Sequence, residues 1–304
     1  MSEGTILAFL NEVAGGRRLL TSIKERVDAG ADAVALVAPQ NQPMAGQIVN
    51  KDELREAAQS RVEVTEALLE DFGIGAVGAV MDPDPTLALD DAVRAFRPTE
   101  VLLSCLPETR VGMMRKDLVE WAMANIDVPV THVPVRITDD AIRWDVVHTL
   151  VVATQTVASE ELLAHLKKLS EEKPHRYTII CPRSGDLSRE EVCERLAGAL
   201  AELYRSDIDA TGQPMSPEPF AAVRNAIAHY RVDDILISTL AGQQSKWLQE
   251  GLIDRVKEIT EKPVEHFEAG GGAAASMAVP ASAVAIGADE PAAAGALPPE
   301  REGS

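Results

Sequence analysis

Short apolar runs alternate with longer stretches whose apolar positions recur at helical spacing. Thr5 to Leu10 is a buried-strand run, Asn11-Glu-Val-Ala-Gly-Gly a turn, and Arg17 to Ala29 a helix with Leu19, Leu20, Ile23 and Val27 on one side. Gly30 closes that helix, and Ala33 to Val37 is a second strand ended by Pro39. Asn41 to Val49 reads as an irregular loop. Asp52 to Phe72 is a long helix with Leu54, Val62, Leu68 and Leu69 apolar; Gly73 ends it and Ile74 to Val80 is the third strand. Asp82-Pro-Asp-Pro-Thr opens a helix to Phe96. The fourth strand starts at Glu100, a helix ends near Ile126, and Val128 to His132 is the fifth strand.

The second half replays this order. Its strands are Thr149 to Ala153, Arg176 to Cys181, Asp207 to Thr211, Asp234 to Ala241 and Lys262 to His266. Helices between them run Ser159 to Ser170, Ser188 to Tyr204, Glu218 to Tyr230, and up to Thr260. A shift of 134 positions places Leu102, Ser104, Leu106, Leu118, Pro129, Val130 and His132 on Leu236, Ser238, Leu240, Leu252, Pro263, Val264 and His266. The same shift places Pro83, Pro85, Ala88, Ala92 and Arg97 on Pro217, Pro219, Ala222, Ala226 and Arg231. The pattern therefore implies a tandem duplication.

Strict β-α alternation predicts an α/β fold: two tandem, doubly wound, Rossmann-like parallel sheets, each of five strands and covered by helices on both faces. The expected domains are 4–134 and 148–268, joined by a connector, 135–147, that carries Trp144. The connector is short, so the halves are expected to pack together. From 269 to 304 the composition collapses to Ala, Gly, Pro and Ser, which cannot offset the entropy of ordering; this tail is expected to be disordered.

Only 4% of residues are aromatic against 46% hydrophobic, so the cores must be built from Val, Leu, Ile and Ala. A net charge of −19 makes the chain a poor binder of polyanions, which disfavours nucleic acid and anionic membranes as partners. Cys105, Cys181 and Cys193 form no CxxC and suit a reducing compartment. The first residues have no basic stretch, Ile6 to Leu10 is too short for a leader, and no apolar run approaches the ~20 residues of a membrane span. The expectation is a cytoplasmic protein.

Ligands of such sheets bind at the carboxyl ends of the strands. That singles out Asn11, Asp82 and Ser104 to Leu106 in the first half, and Thr154, Gln155, Ser216 and Ser238 to Leu240 in the second.

Five β-α pairs per half, Asp/Ser-Pro-x-Pro before the third helix, and a last strand behind Pro-Val resemble the universal stress protein family. Two copies in one chain look like its tandem members, over residues 4–268. The resemblance implies strand order 3-2-1-4-5 and pairing of fifth strands. That pairing would be made within the chain as an intramolecular pseudo-dimer, with a homodimer as a further candidate. ATP-binding members carry an acid after strand one and Gly-x2-Gly-x9-Gly-Ser/Thr into helix four, where glycines admit phosphate to backbone N–H groups at a helix N-terminus. Here Asn11 stands in place of the acid, with Gln155 or Thr154 in the second half, and Leu103-Ser-Cys-Leu and Ile237-Ser-Thr-Leu lack the glycines. Counting back from Pro129 and Pro263 puts the Gly-Ser pair at Lys116-Asp117 and Glu250-Gly251, where a carboxylate would repel phosphate.

The resemblance thus implies a non-enzymatic regulatory or interaction module of the stress response, with an unidentified protein partner. Both nucleotide sites read as degenerate: no cofactor is firm, ATP and AMP are the candidates, and weak ATPase activity is the exception to allow for. The alternative is an adenine-nucleotide-binding stress protein that uses a modified pocket in the second half. Asn11, Ser104, Gln155, Ser238, Thr239 and Ser245 would hold the ligand, with Gly251 nearby. An enzyme of the wider adenine-nucleotide-handling superfamily would want a Ser-Gly-Gly-x-Asp-type loop after strand one, and Asn11-Glu-Val-Ala and Gln155-Thr-Val-Ala differ from it.

Other residues carry a functional and a structural reading side by side. Ser104, Ser238 and Thr239 either bind a small polar ligand or cap the turn. Asp82-x-Asp84-x-Thr86 is similar to the nucleophile motif of haloacid-dehalogenase-type phosphatases, but also reads as a helix start with Asp84 as N-cap. His132 and His266 lack further metal ligands at suitable spacing, so an interface between the halves is expected for them. Cys105 is either a redox-sensitive thiol or a small buried residue. Gly15-Gly16 could admit an anion to the helix behind it, a weak signal without further glycines. Trp121, Trp144 and Trp247 are expected in packing.

Overall fold

The computed structural model describes residues 4–41, 51–105, 110–111, 116–134, 146–182, 187–215, 218–241 and 246–270. All belong to one compact unit, Met1–Gly272. The connector around Trp144, Leu106, Ser216, Ser245 and the Ala/Gly/Pro-rich tail beyond 270 lie outside the described residues.

The first half contains β1 (Thr5–Leu10), β2 (Ala14–Gly15), α1 (Arg17–Asp28), β3 (Ala33–Pro39), α2 (Lys51–Glu70), β4 (Ala76–Met81), α3 (Pro85–Phe96) and β5 (Glu100–Cys105). It ends with β6 (Arg110–Val111), β7 (Lys116–Asp117), α4 (Leu118–Asn125) and β8 (Val130–Pro134). The second half contains β9 (Val147–Val152), α5 (Glu160–Glu172), β10 (His175–Pro182), α6 (Arg189–Arg205), β11 (Asp209–Met215) and α7 (Pro219–Tyr230). It closes with β12 (Asp234–Leu240), α8 (Lys246–Gln249), α9 (Leu252–Ile259) and β13 (Val264–Ala269).

Helix starts follow the local chemistry. Asp84 and Glu218 are N-caps before prolines, and each carboxylate accepts from the N–H of the next turn. The two helices also end alike, on left-handed arginines, Arg97 at φ 47° and Arg231 at φ 48°. Ser188 and Glu191 form a capping box on α6.

The first sheet is parallel, with the order β4-β3-β1-β5-β8. Helices α3 and α4 cover one face through Ala88, Leu89, Ala92, Leu118 and Ala122. Helices α1 and α2 cover the other. The second sheet has the order β13-β12-β9-β10-β11-β2. Helices α7 and α9 pack on one face, α5 and α6 on the other.

The second sheet departs from the sequence reading. The segment read as the turn after β1 contains β2, which crosses to the second sheet and pairs antiparallel with β11, Gly15 opposite Thr211 and Ala14 opposite Gly212. That sheet is therefore mixed and six-stranded, where a parallel sheet of five was expected. Strand β11 also runs on through Gly-Gln-Pro to Met215; Pro214 is tolerated because β2 has already ended at that register.

The halves meet elsewhere than the resemblance implied. Strands β8 and β13 close their own sheets and are not hydrogen-bonded to each other. Contact runs through α2 against α6 and through β2 on β11. Ala58, Val62 and Leu68 of α2 share one continuous apolar core with Leu196 and Leu200 of α6. Arg189–Glu63 at 3.0 Å and Arg205–Asp71 at 2.5 Å flank it. Helix α6 also buries Ala197, Ala199 and Ala201, the small residues that a core with few aromatics requires.

The helix expected straight after β5 starts only at Leu118, behind the short antiparallel pair of β6 and β7. Its counterpart is interrupted at Gly251, φ 65°, which separates α8 from α9.

Candidate functional site

The carboxyl ends of β1 and β3 converge on a buried polar cluster. Helix α2 carries Arg61, fully buried, whose Nη1 donates to Asn41 O at 2.8 Å. Its Nη2 donates to Pro39 O at 2.6 Å and to Asn41 Oδ1 at 2.8 Å. Asn41 Nδ2 in turn donates to Asn11 Oδ1 at 3.0 Å, and Asn11 Nδ2 to Glu12 Oε1 at 2.5 Å. Burial pulls the guanidinium from 12.5 down to about 10, opposed by the phenol of Tyr230 and the carboxylate of Glu12. Arg61 thus stays protonated at neutral pH. Tyr230, from α7, donates to Gln213 Oε1 at 3.4 Å and is itself pushed up by burial. Asn11 therefore has its amide and carbonyl engaged by the protein's own side chains.

Two helix N-termini in the first half are likewise occupied. Asp117 Oδ1 accepts from the N–H of Val119 at 2.9 Å and of Glu120 at 3.3 Å, at the entrance of α4. At the diglycine before α1, Gly15 and Gly16 take φ 73° and 95°, and the N-cap has no side-chain acceptor of its own. Asp209 of β11 supplies one, its Oδ1 accepting from Arg17 N–H at 3.3 Å, while Arg17 also pairs with Asp207. A cleft lined by Gly15, Gly16, Ser104, Val133, Asp209 and Thr211 has room for roughly one water molecule. Ser104 is buried, and its carbonyl accepts from Asn11 N–H at 3.0 Å.

The second half is arranged differently. Thr154 donates to Pro182 O at 2.6 Å and Thr156 to Ser238 O at 3.4 Å, so the loop after β9 is stitched to β10 and β12. Gln155 is exposed and its carbonyl accepts from Arg195. Thr239 Oγ1 shares a 2.8 Å hydrogen bond with His266 Nε2. Ser238 Oγ is buried without a hydrogen-bond partner among the described residues. Gly251 precedes α9 without a side-chain cap, in contrast to Asp117 before α4.

The remaining candidates resolve structurally. Asp84 caps α3, accepting from Thr86 N–H at 2.8 Å and Thr86 Oγ1 at 2.6 Å, and Asp82 accepts from Asp84 N–H. His132 lies against Cys105 O at 3.3 Å, and His266 against Thr239; both sit on edge strands that do not pair with each other, so the pairing of last strands expected to hold them is not formed. The interface is built by α2, α6 and β2 instead. Burial raises the Cys105 thiol, and Glu12 and Asp117 raise it further, the opposite of a reactive thiolate. No group of His, Cys, Asp and Glu among the described residues could hold a metal ion. No helix among them is long and apolar enough to cross a membrane.

Sequence reasoning missed Arg61, Glu12, Asn41, Gln213 and Tyr230. One signal was available: Arg61 lies midway between Leu54 and Leu68, seven residues from each, on the apolar stripe of α2.

No protein-family model matches the chain, and no curated protein does. Among solved structures it is similar to a universal stress protein from Archaeoglobus fulgidus DSM 4304, at 16% identity over 87% of this chain and 97% of that one, with a TM-score of 0.34. It is also similar to the Pnkp1/Rnl/Hen1 complex, at 11% identity over 90% and 98%, TM-score 0.25. A third is the glycosyltransferase SnogD from Streptomyces nogalater, at 10% identity over 88% and 89%, TM-score 0.23.

Proposed function

We propose that the chain is a tandem universal stress protein-like module that acts by interaction rather than catalysis, with nucleotide sites that have eroded. The supports for duplication are internal. Both sheets fit the order 3-2-1-4-5 once β2 is set aside, and α3 and α7 share their capping at both ends. The observation that carries the loss of nucleotide binding is Asp117. Its carboxylate holds the N–H groups of Val119 and Glu120, where a phosphate would need those same donors and no negative neighbour. Arg61 and its partners fill the adjoining strand ends.

Calorimetry with ATP, ADP, AMP and cyclic nucleotides on the purified chain should give no heat at millimolar ligand. Native mass spectrometry of fresh material should show no copurified nucleotide. Tight ATP binding, above all with slow turnover, would overturn the proposal.

A second reading places an adenine nucleotide in the second half, favoured by the unpartnered Ser238 hydroxyl and the uncapped α9. If so, Ser238→Ala abolishes the calorimetric signal while Ser104→Ala leaves it intact.

A further inference from the structure

The two halves treat one equivalent edge differently. Strand β11 has its outer edge covered by β2, which adds antiparallel to it. The corresponding strand of the first half, β4, is the terminal strand of its sheet, with β3 as its one neighbour among the described residues. The correspondence is positional: at the same shift of 134, Gly78 and Met81 fall on Gly212 and Met215. The glycines are both dictated by close packing against a helix. A Cβ at Gly78 would stand 2.0 Å from Val62 Cγ1, and one at Gly212 2.7 Å from Leu196 Cδ1.

Strand β4 reads Ala-Val-Gly-Ala-Val-Met, without a charge or proline to discourage pairing. Val77 is 64% exposed, and Leu87, in the first turn of the following helix, 55%. The edge is guarded from outside the strand. Met81 O accepts from Gln40 N–H on the β3 side, so Gly78, three residues earlier, turns its N–H to the open side, and Glu66 Oε1 of α2 lies 2.6 Å from where a Cβ on Gly78 would stand. Partial burial raises the Glu66 carboxyl, with Glu63 adding to it.

The covered edge indicates what the open one would accept. The segment on β11 is Val-Ala-Gly-Gly-Arg-Arg, small residues followed by bases, and Arg17 meets Asp207 and Asp209 at the start of that strand. Beside β4 the charges are again acidic: Glu66 at its middle, exposed Asp82 just beyond its end, and Glu70 before it. A second copy of this chain, added antiparallel about the middle of β4, would bring Glu66 against its own equivalent, in a molecule already at −19.

We propose that β4 is a docking edge for an extended segment of another protein, added antiparallel, with small uncharged residues along Val77–Ala79 and a Lys or Arg beside Glu66 and Asp82. A carbonyl of the incoming strand takes the Gly78 N–H, and the Glu66 carboxylate beside it pairs with the incoming base. This names a partner chemistry for the interaction role proposed above but does not need it: nucleotide binding elsewhere would refute that role and leave the edge unaffected.

The test is fluorescence anisotropy of the full chain with two dye-labelled peptides, KVAVAK and EVAVAE, at low salt. KVAVAK should bind saturably and at least tenfold more tightly than EVAVAE, and binding should weaken as salt rises. Val77→Glu, at an exposed position, should weaken KVAVAK at least tenfold with an unchanged thermal melt. Glu66→Gln, which keeps the size of the side chain, should narrow the preference between the two peptides, Asp82 keeping the remainder. Equal binding of both peptides, no saturable binding, or no response to Val77→Glu overturns the proposal. So does a concentration-dependent dimer, by sedimentation velocity, that Val77→Glu dissociates, since that would assign the edge to a second copy.

Discussion

Arg61→Met is the sharpest perturbation of the polar cluster, because it keeps an unbranched apolar stem and deletes the donors. Three hydrogen bonds from the guanidinium would be lost, to Pro39 O, Asn41 O and Asn41 Oδ1, although Pro39 O keeps the Asn41 N–H at 2.7 Å. A hydrogen bond to a charged group contributes about 2 kcal/mol, so the gross loss over the three is near 6 kcal/mol. Against this, the burial that takes the guanidinium from 12.5 to about 10 represents roughly 3 kcal/mol of desolvation that methionine does not incur. The net expectation is a loss of about 3 kcal/mol, at the lower end of what breaking a buried charged network costs. Urea unfolding at neutral pH, followed by far-UV circular dichroism and tryptophan fluorescence, measures it directly. Glu12→Gln should cost less in the Arg61→Met background than in the native one, since both act on one network. A variant within about 0.5 kcal/mol of the native chain, or additive effects of the two substitutions, would refute the reasoning.

Asp117→Ala should cost about 1 kcal/mol through the lost cap on α4, read from the same urea curves, without creating nucleotide binding. Gly78→Ala should cost more than about 2 kcal/mol by overpacking, because its Cβ would meet Val62 Cγ1 at 2.0 Å. Glu100 is held below its ordinary 4.5 by Arg26, with Nη2 at 2.7 Å, and by Thr131. Its contribution is therefore present above that value and lost as pH falls through the depressed one. Glu100→Gln should cost roughly 1.5–3 kcal/mol at pH 7 and flatten the acid limb of a stability–pH curve. The thiols behave oppositely: burial raises Cys105, Cys181 and Cys193, the last to about 12, from 9.0. Their contribution is then full below about pH 9 and falls as pH climbs above it, by up to ~1.4 kcal/mol per pH unit for each thiol, and Cys181→Ala should remove one such increment.

What the sequence revealed and what it hid divide along the range of the forces involved. Strand and helix periodicity, the proline-led starts of α3 and α7, and the matching arginines that end them are local, and each was legible from neighbours a few residues away. The place of Asp117 at the entrance of the fourth helix was legible too, although that helix begins later than the apolar spacing suggests, because Gly112 to Lys116 carries no stop signal that spacing alone reveals. Strand β2 was not. Its two residues have no periodicity to detect, and its partner, Gly212, is 198 positions from Ala14. A two-residue strand exists only because β11 offers an open edge and because Arg17, just behind it, has acids to meet. Arg61 was hidden for a related reason. A charge on an apolar stripe reads as an irregularity of the helix until the carbonyls of Pro39 and Asn41 arrive to receive it. Both features join segments that local pattern treats as independent: β2 ties the first half to β11 of the second, and Arg61 ties α2 to the end of β3. Once β2 is committed to β11, the second sheet is closed on that side, while β4, the counterpart of β11 in the first sheet, keeps β3 as its one strand neighbour among the described residues, and a strand added there would have to come from elsewhere.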